Sequence, residues 1–128
     1  MASAIVAAVI YAKDHAGVAA FYQAVLGVMP RESDPDHAKL DCGGFDLIVH
    51  RVPATGPSLA NVPPPQRRER GAIRLIFSVA DVDACRVAAT ALGGEIDNHP
   101  PPWAQPGSNL RLGYDPEGNV FQVQLNAL

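Results

Sequence analysis

Excess charge of one sign, cysteine and long apolar runs are all scarce in this chain. Its 128 residues carry 10 Lys+Arg against 13 Asp+Glu, a formal net charge of −3. A nucleic-acid-binding surface usually appears as a basic excess, and there is none. The one basic cluster, Gln66-Arg67-Arg68-Glu69-Arg70, is short and broken by a glutamate, the pattern of a solvated loop. No apolar run reaches the roughly 20 residues that a membrane-spanning helix needs. The apolar start, up to Val9, has no basic segment before it and reads as a strand rather than a secretion signal. Cys42 and Cys85 suggest no disulfide framework, so a reducing cytoplasm is the expected compartment. There is no glycine-rich phosphate loop, no dinucleotide fingerprint and no nucleophile with a base beside it in sequence.

What is there supports one folded domain. The apolar share is 48%, enough for a core. Proline is abundant, with 12 residues, and its clusters mark loops at 52–71 and 99–107. The rest of the sequence repeats. Residues 4–14 and 72–81 are each a short apolar, β-branched run closed by an aspartate. Asp14 and Asp81 are expected helix N-caps. After Asp14, Val18, Phe21, Tyr22, Val25 and Leu26 fall on one helical face, and Gly27 is a stop. After Asp81, Ala84, Cys85, Ala88 and Leu92 repeat that face before Gly93-Gly94. Each half then holds a short strand, near 28–31 and 95–98, and a glycine-rich hairpin. The hairpins join 38–41 to 45–50 and 110–114 to 120–125. The expectation is an α+β fold of two tandem βαβββ modules, at about 1–51 and 72–128, with a linker at about 52–71.

Two motifs sit on this repeat: Asp14 with Phe21-Tyr22 and Val25-Leu26-Gly27, and the turn Asp115-Pro116-Glu117-Gly118-Asn119. In these the chain resembles the vicinal oxygen chelate superfamily, which includes glyoxalases, bleomycin-resistance proteins and extradiol dioxygenases. The resemblance implies curved mixed sheets, each with a helix on its convex face, enclosing a cavity. It also implies a homodimer, and the free edges and apolar concave side of a half-open sheet point the same way.

Strand alternation divides the side chains into two sets. Phe121, Val123 and Leu125 are expected to face a helix, as are Ile73, Leu75, Phe77 and Val79. Facing the cavity are Val120, Gln122 and Gln124; Arg74, Ile76 and Ser78; Ala7, Val9 and Tyr11; and Asp46, Ile48 and His50. Metal-dependent relatives are expected to place histidine seven residues before each helix-capping aspartate. They place glutamate seven residues after the first aspartate of the turn, and often at its counterpart in the first half. Here those positions hold Ala7, Arg74, Gln122 and Ile48. Two cannot coordinate, one is a permanent cation and one is a weak neutral ligand. The residues therefore point to no metal and no cofactor. The alternative is an atypical divalent site for Zn, Ni, Fe or Mn, in which His50 would take part with Gln122 and Gln124. His15, His37 (in the polar loop 32–37) and His99 make no ligand pair.

Arg74 is then the expected anchor for a ligand oxyanion, or else the partner of Asp46 in a salt bridge. Gln122, Gln124 and Ser78 supply hydrogen bonds, Tyr11 and Ile48 supply wall, and His50 lies on the same face. Trp103, the only tryptophan, sits in the proline-rich loop, either as a lid over a ligand or tucked against its own domain or a dimer partner. Arg111 is a further candidate for the cavity. Three functions follow: a metal-free dimer binding a small organic molecule, an anion if Arg74 is its anchor; a metal-dependent glyoxalase-like lyase, isomerase or dioxygenase; or an accessory or regulatory dimer without a ligand.

Overall fold

The repeat in the sequence becomes a repeat in space. The computed structural model describes residues 2–53, 67–69 and 71–126. In chain order the elements are β1 (Ala7–Ala12), α1 (His15–Leu26), β2 (Pro30–Asp34), β3 (His37–Asp41), β4 (Asp46–Arg51), β5 (Ile76–Val79), α2 (Val82–Ala91), β6 (Glu95–Ile96), β7 (Arg111–Tyr114) and β8 (Val120–Leu125). They form two four-stranded mixed sheets, ordered β1-β4-β3-β2 and β5-β8-β7-β6. In each, the first strand lies parallel to the last and the other pairs are antiparallel. Most of the stretch 52–71, Pro63-Pro64-Pro65 included, lies outside the described residues.

The caps form as expected. Asp14 accepts from the Gly17 N–H and Asp81 from the Ala84 N–H, each at 3.1 Å. Gly27 ends α1 at φ 66°, a left-handed conformation that glycine adopts without a Cβ clash. Val18, Phe21, Tyr22 and Val25 of α1 are buried with Leu40, Leu47 and Val49 of one sheet. Phe77, Val79, Phe121 and Val123 of the other sheet join the same core, together with Cys85 and Ala89 of α2. The aromatic rings interlock across the halves, with Phe21 edge-on to Phe121 at 5.9 Å and Tyr22 at 5.7 Å from Phe121.

Alternation fails at the ends of strands. Ile73 was expected to face the helix, but β5 begins only at Ile76, and Ile73 is 82% exposed. Leu125, at the end of β8, is 40% exposed, as is Leu92 beyond the last turn of α2, and Ala84 is also exposed. Pairing with neighbours holds the pleat in register, so parity has no hold at Ile73, before the first pair, and Leu125 is the last paired residue, where the sheet and its cover end. Residues 32–37 are not a loop: they hold most of β2 and the start of β3, so His37 lies on a sheet face.

The turn after β7 fastens one half to the other. Asp115 is fully buried, and its Oδ1 accepts the N–H groups of Glu117 and Asn119 at 2.9 and 3.0 Å. Its Oδ2 receives the Tyr22 hydroxyl from α1 at 2.8 Å. Glu117, also buried, reaches the entry of α1, where its two oxygens accept the N–H groups of Lys13 and Asp14 at 2.9 and 2.7 Å. Burial pushes the Asp115 carboxyl above its ordinary pKa, against the pull of its donors, Asn119 first and then Tyr22. Burial and the neighbouring Asp115 raise the Tyr22 phenol as well.

Glu117→Ala should cost about 2–3 kcal/mol in urea unfolding, because two N–H groups lose a charged acceptor. Asp115 binds its proton more tightly folded than unfolded, so its contribution is full below the unfolded carboxylate pKa and is lost as pH rises through the raised folded value. The stability difference between wild type and Asp115→Asn should therefore shift against wild type as pH rises from the ordinary carboxylate range toward neutral. A difference that does not change with pH over that window would contradict the assignment.

Candidate functional site

β1 and β5 are edge strands of separate sheets, and two clefts open between the halves beside them. The larger, about 550 Å³, runs between β1 and the start of β8. Val9, Ile10 and Tyr11 form one wall; Ile73, Leu75 and Val120 form the other, with Arg68 and Asn119 as its polar groups. A small recess adjoins it and adds Arg74 and Glu69 around the same Arg68, Ile73 and Asn119. The second cleft, about 420 Å³, lies on the other side of Ala8 and Leu75 and is lined by Ile5, Val28, Cys42, Phe45 and Ser78 among others. The size and largely apolar lining of both are those of small-molecule sites.

The residues expected to bind a ligand fall into separate groups. Tyr11 lines the larger cleft and Ser78 the smaller, where the Ser78 hydroxyl donates to Asn126 at 2.6 Å. Ile48 and His50 lie on the open face of the first sheet, paired in register with Val9 and Tyr11. A row crosses that sheet from Tyr11 through His50 to His37, with ring centroids 5.6 and 6.0 Å apart. His37 sits 3.0 Å from Asp34 and 3.2 Å from Glu32. The His50 Nδ1 meets the Arg51 carbonyl at 2.7 Å, and a carbonyl only accepts, so Nδ1–H is the donor there. Gln122 and Gln124 share the open face of the second sheet with Ile76 and Ser78, and the Gln122 amide donates to Gln124 at 3.3 Å. No hydrogen bond, ion pair or ring contact among the described residues joins the His50 group to the Gln122 group.

Arg74 does not pair with Asp46. Arg31 takes Asp46 at 3.2 Å and Asp41 at 3.1 Å, because β2 lies beside β3 on the same sheet while Arg74 belongs to the other half. Arg74 instead lies over the Trp103 ring, 5.3 Å from its centroid, and makes no ion pair among the described residues. Trp103 is 59% exposed, so it is not tucked against its own domain, and the proline-rich loop presents it to the guanidinium. Arg111 does not reach the open face. It shares the helix side with its partner Val123, and its guanidinium donates to the Ser108 and Leu110 carbonyls.

Sequence reasoning missed the wall formed by Arg68 and Asn119. The basic cluster was expected to be a solvated loop. Instead Arg67 forks onto Asp97 at 2.7 and 2.9 Å and lies over Tyr114, while the Arg68 N–H donates to Gly118. That clamp lays residues 67–69 along the Asp115–Asn119 turn. The acidic partner Asp97 lies 30 residues away, too far for a local pattern to show.

A divalent ion does not fit these residues. Ala7 and Ile48 have no donor atoms, the Arg74 guanidinium repels a cation, and Gln122 offers one neutral oxygen. Among the described residues no group of three or more His, Cys, Asp or Glu side chains is placed to hold an ion. Nor is either thiol activated. Cys85 is buried and donates to the Val25 carbonyl at 3.0 Å, and burial is the main cause that raises its pKa and that of Cys42.

The fold and site together define a class. Residues 7–124 match the family model of the glyoxalase-like domain, and the chain belongs to that family, within the vicinal oxygen chelate superfamily. Among solved structures it is similar to the genomically encoded fosfomycin resistance protein FosX from Listeria monocytogenes, at 18% identity and a TM-score of 0.70, covering 100% of this chain and 94% of that one. A glyoxalase/bleomycin resistance protein from Albidiferax ferrireducens T118 aligns at 19% identity and TM-score 0.68, covering 96% and 98%. Lactoylglutathione lyase from Agrobacterium tumefaciens aligns at 28% identity and TM-score 0.64, covering 95% and 92%. No curated protein matches the chain. No helix among the described residues is long and apolar enough to cross a membrane.

Under native conditions a thiol reagent should label Cys42 alone, slowly, and Cys85 should react only after unfolding. Rapid labelling of Cys85 in the folded protein would contradict its burial.

Proposed function

We propose that this protein binds a small organic anion without a metal ion, in the cleft between its modules, and does so as a cytoplasmic homodimer. The observation that carries the reading is Arg74: a guanidinium with no carboxylate partner among the described residues, held only by an aromatic face, beside an apolar cleft. A fixed cation with its fork free is suited to a carboxylate or phosphonate. Arg68 adds a second guanidinium to the cleft wall, and Asn119 and Tyr11 supply hydrogen-bonding groups around it. Trp103 gives a flat surface for an aromatic or planar part of the ligand. A FosX structure with manganese(II) and 1S,2S-dihydroxypropylphosphonic acid is among the neighbours, which places an organic anion in a protein of this fold. Exposed Ile5, Val6, Val9, Ile73 and Ile76 near the free β1 and β5 edges favour a second copy as the cover for the cleft.

The test is a thermal-shift screen of aromatic and aliphatic carboxylates and phosphonates, with and without a chelator, together with elemental analysis. A binder should raise the melting temperature equally in both conditions, since a ligand of the native state stabilises by mass action. Arg74→Gln should weaken that binder by about tenfold or more while leaving the fold intact. About one divalent ion per chain that survives dialysis and is needed for the shift would overturn the metal-free reading.

A further inference from the structure

The recess that holds Arg74 is small, about 80 Å³, and it opens into the cleft of about 550 Å³. The two are continuous, because Arg68, Ile73, Asn119 and Val120 line both. Charge is confined to the recess end. Arg74 stands in the recess and Arg68 on the shared rim, while the Glu69 carboxylate there is held by Arg67 at 2.6 Å. Beyond the rim, the side chains lining the cleft are apolar except for two tyrosines. The Tyr22 hydroxyl is spent on Asp115, so the Tyr11 hydroxyl is the polar side-chain group left on that wall. Ile73, Tyr11 and Val9 are 82%, 56% and 47% exposed, so three large apolar side chains stand around the opening. Three successive residues make the junction: Arg74 points its charge to the recess, and Ile73 and Leu75 on either side line the cleft. A site polarised in this way matches a molecule with its charge at one end and hydrocarbon behind it.

We infer that the ligand is an amphiphilic acid: its carboxylate or phosphonate head lies in the recess of Arg68 and Arg74, and its hydrocarbon tail lies along the cleft between β1 and the start of β8. The inference rests on the organic-anion reading above and narrows it to acids whose body carries no polar group beyond the head. Arg74 sets the affinity of the head, and Val9, Leu75 and Val120 set the preference for the tail.

A homologous series tests it. Straight-chain alkylphosphonates from methyl to octyl are titrated into the full-length protein by calorimetry, with alkanols of the same lengths as headless controls. Affinity for the phosphonates should rise about threefold to fourfold per methylene until the tail fills the cleft. Each alkanol should bind at least tenfold more weakly than the phosphonate of its length. Arg74→Gln should weaken every phosphonate by the same factor and leave the rise per methylene unchanged. Val9→Phe, which narrows the cleft from its exposed edge strand, should weaken octylphosphonate about tenfold and leave methylphosphonate as it was. A flat series, with all the phosphonates bound alike, overturns the tail and leaves the anion reading standing; the cleft is then closed by something else, such as a second copy of the chain. Alkanols that bind as well as phosphonates overturn the pairing of head and tail. A rise per methylene that survives intact in Val9→Phe puts the tail outside this cleft and also overturns it. If no phosphonate binds at any length, the anion reading fails and takes this inference with it.

Discussion

A carboxylate buried in a protein core must be surrounded by donors, and here that requirement ties the two modules together. Asp115 cannot hold its place without the turn N–H groups and the Tyr22 hydroxyl. Because Tyr22 comes from α1 and Asp115 from the turn of the second module, satisfying the one fixes the other. Glu117 repeats the logic two residues on, at the entry of the same helix. The aromatic cluster of Phe21, Tyr22, Phe77 and Phe121 fills the space around this polar seam. Hydrophobic burial is not directional, but the hydrogen bonds are, so the seam sets the relative placement of the halves and the core follows it.

That placement creates the site. Fixing α1 against the Asp115 turn brings β1 alongside the start of β8 and leaves both outer edges, β1 and β5, without a strand between them. Arg67, forked on Asp97, lays residues 67–69 over the same turn and brings Arg68 to the cleft. The groups that line the opening therefore hang from the elements that lock the modules. A weakened seam would move the walls of the cleft as well as lower stability. This is one physical reason why Asn119, bonded to both oxygens of Asp115, is both a structural and a lining residue.

The fold was legible in the sequence because its signals are local. Aspartate caps, a glycine stop, a 3.6-residue apolar face and glycine-rich hairpins each declare themselves within a few residues, and their repetition declares the duplication. The faces of the strands were legible wherever pairing continues, as for Leu47, Val49, Phe121 and Val123. They were not legible at Ile73 or Leu125, where pairing is about to begin or end. The site was harder because its contacts are distant. Alternation put Arg74 and Asp46 in one cavity-facing set, yet the partner of Asp46 is Arg31, delivered by a strand that the sequence marks only weakly. The basic cluster looked solvated because Asp97, its partner, lies far along the chain. Arg68 and Asn119 could have been suspected from one signal: a cluster with three arginines next to a predicted strand has to place at least one of them near the sheet.

What a guanidinium does differently from a metal ion bears on the proposed function. Both present positive charge to an oxyanion. A divalent ion also withdraws electrons from what it holds and makes bound water acidic at neutral pH. A guanidinium can only attract and orient. The environment of Arg74 suits that role: the residue is exposed, so little desolvation opposes it, and the Trp103 ring holds the guanidinium plane without consuming its five donors. A carboxylate or aspartate in the same place would satisfy the charge and leave nothing for a ligand. Replacing the ion by such a group changes the work the cavity can do. Recognition needs charge and shape, which Arg74 and the apolar cleft are suited to supply. Proton transfer or oxygen chemistry needs a base or an electrophile aimed at the bound molecule, and His50 stands on the other sheet. The residues around Arg74 are therefore better matched to holding an anion than to transforming one.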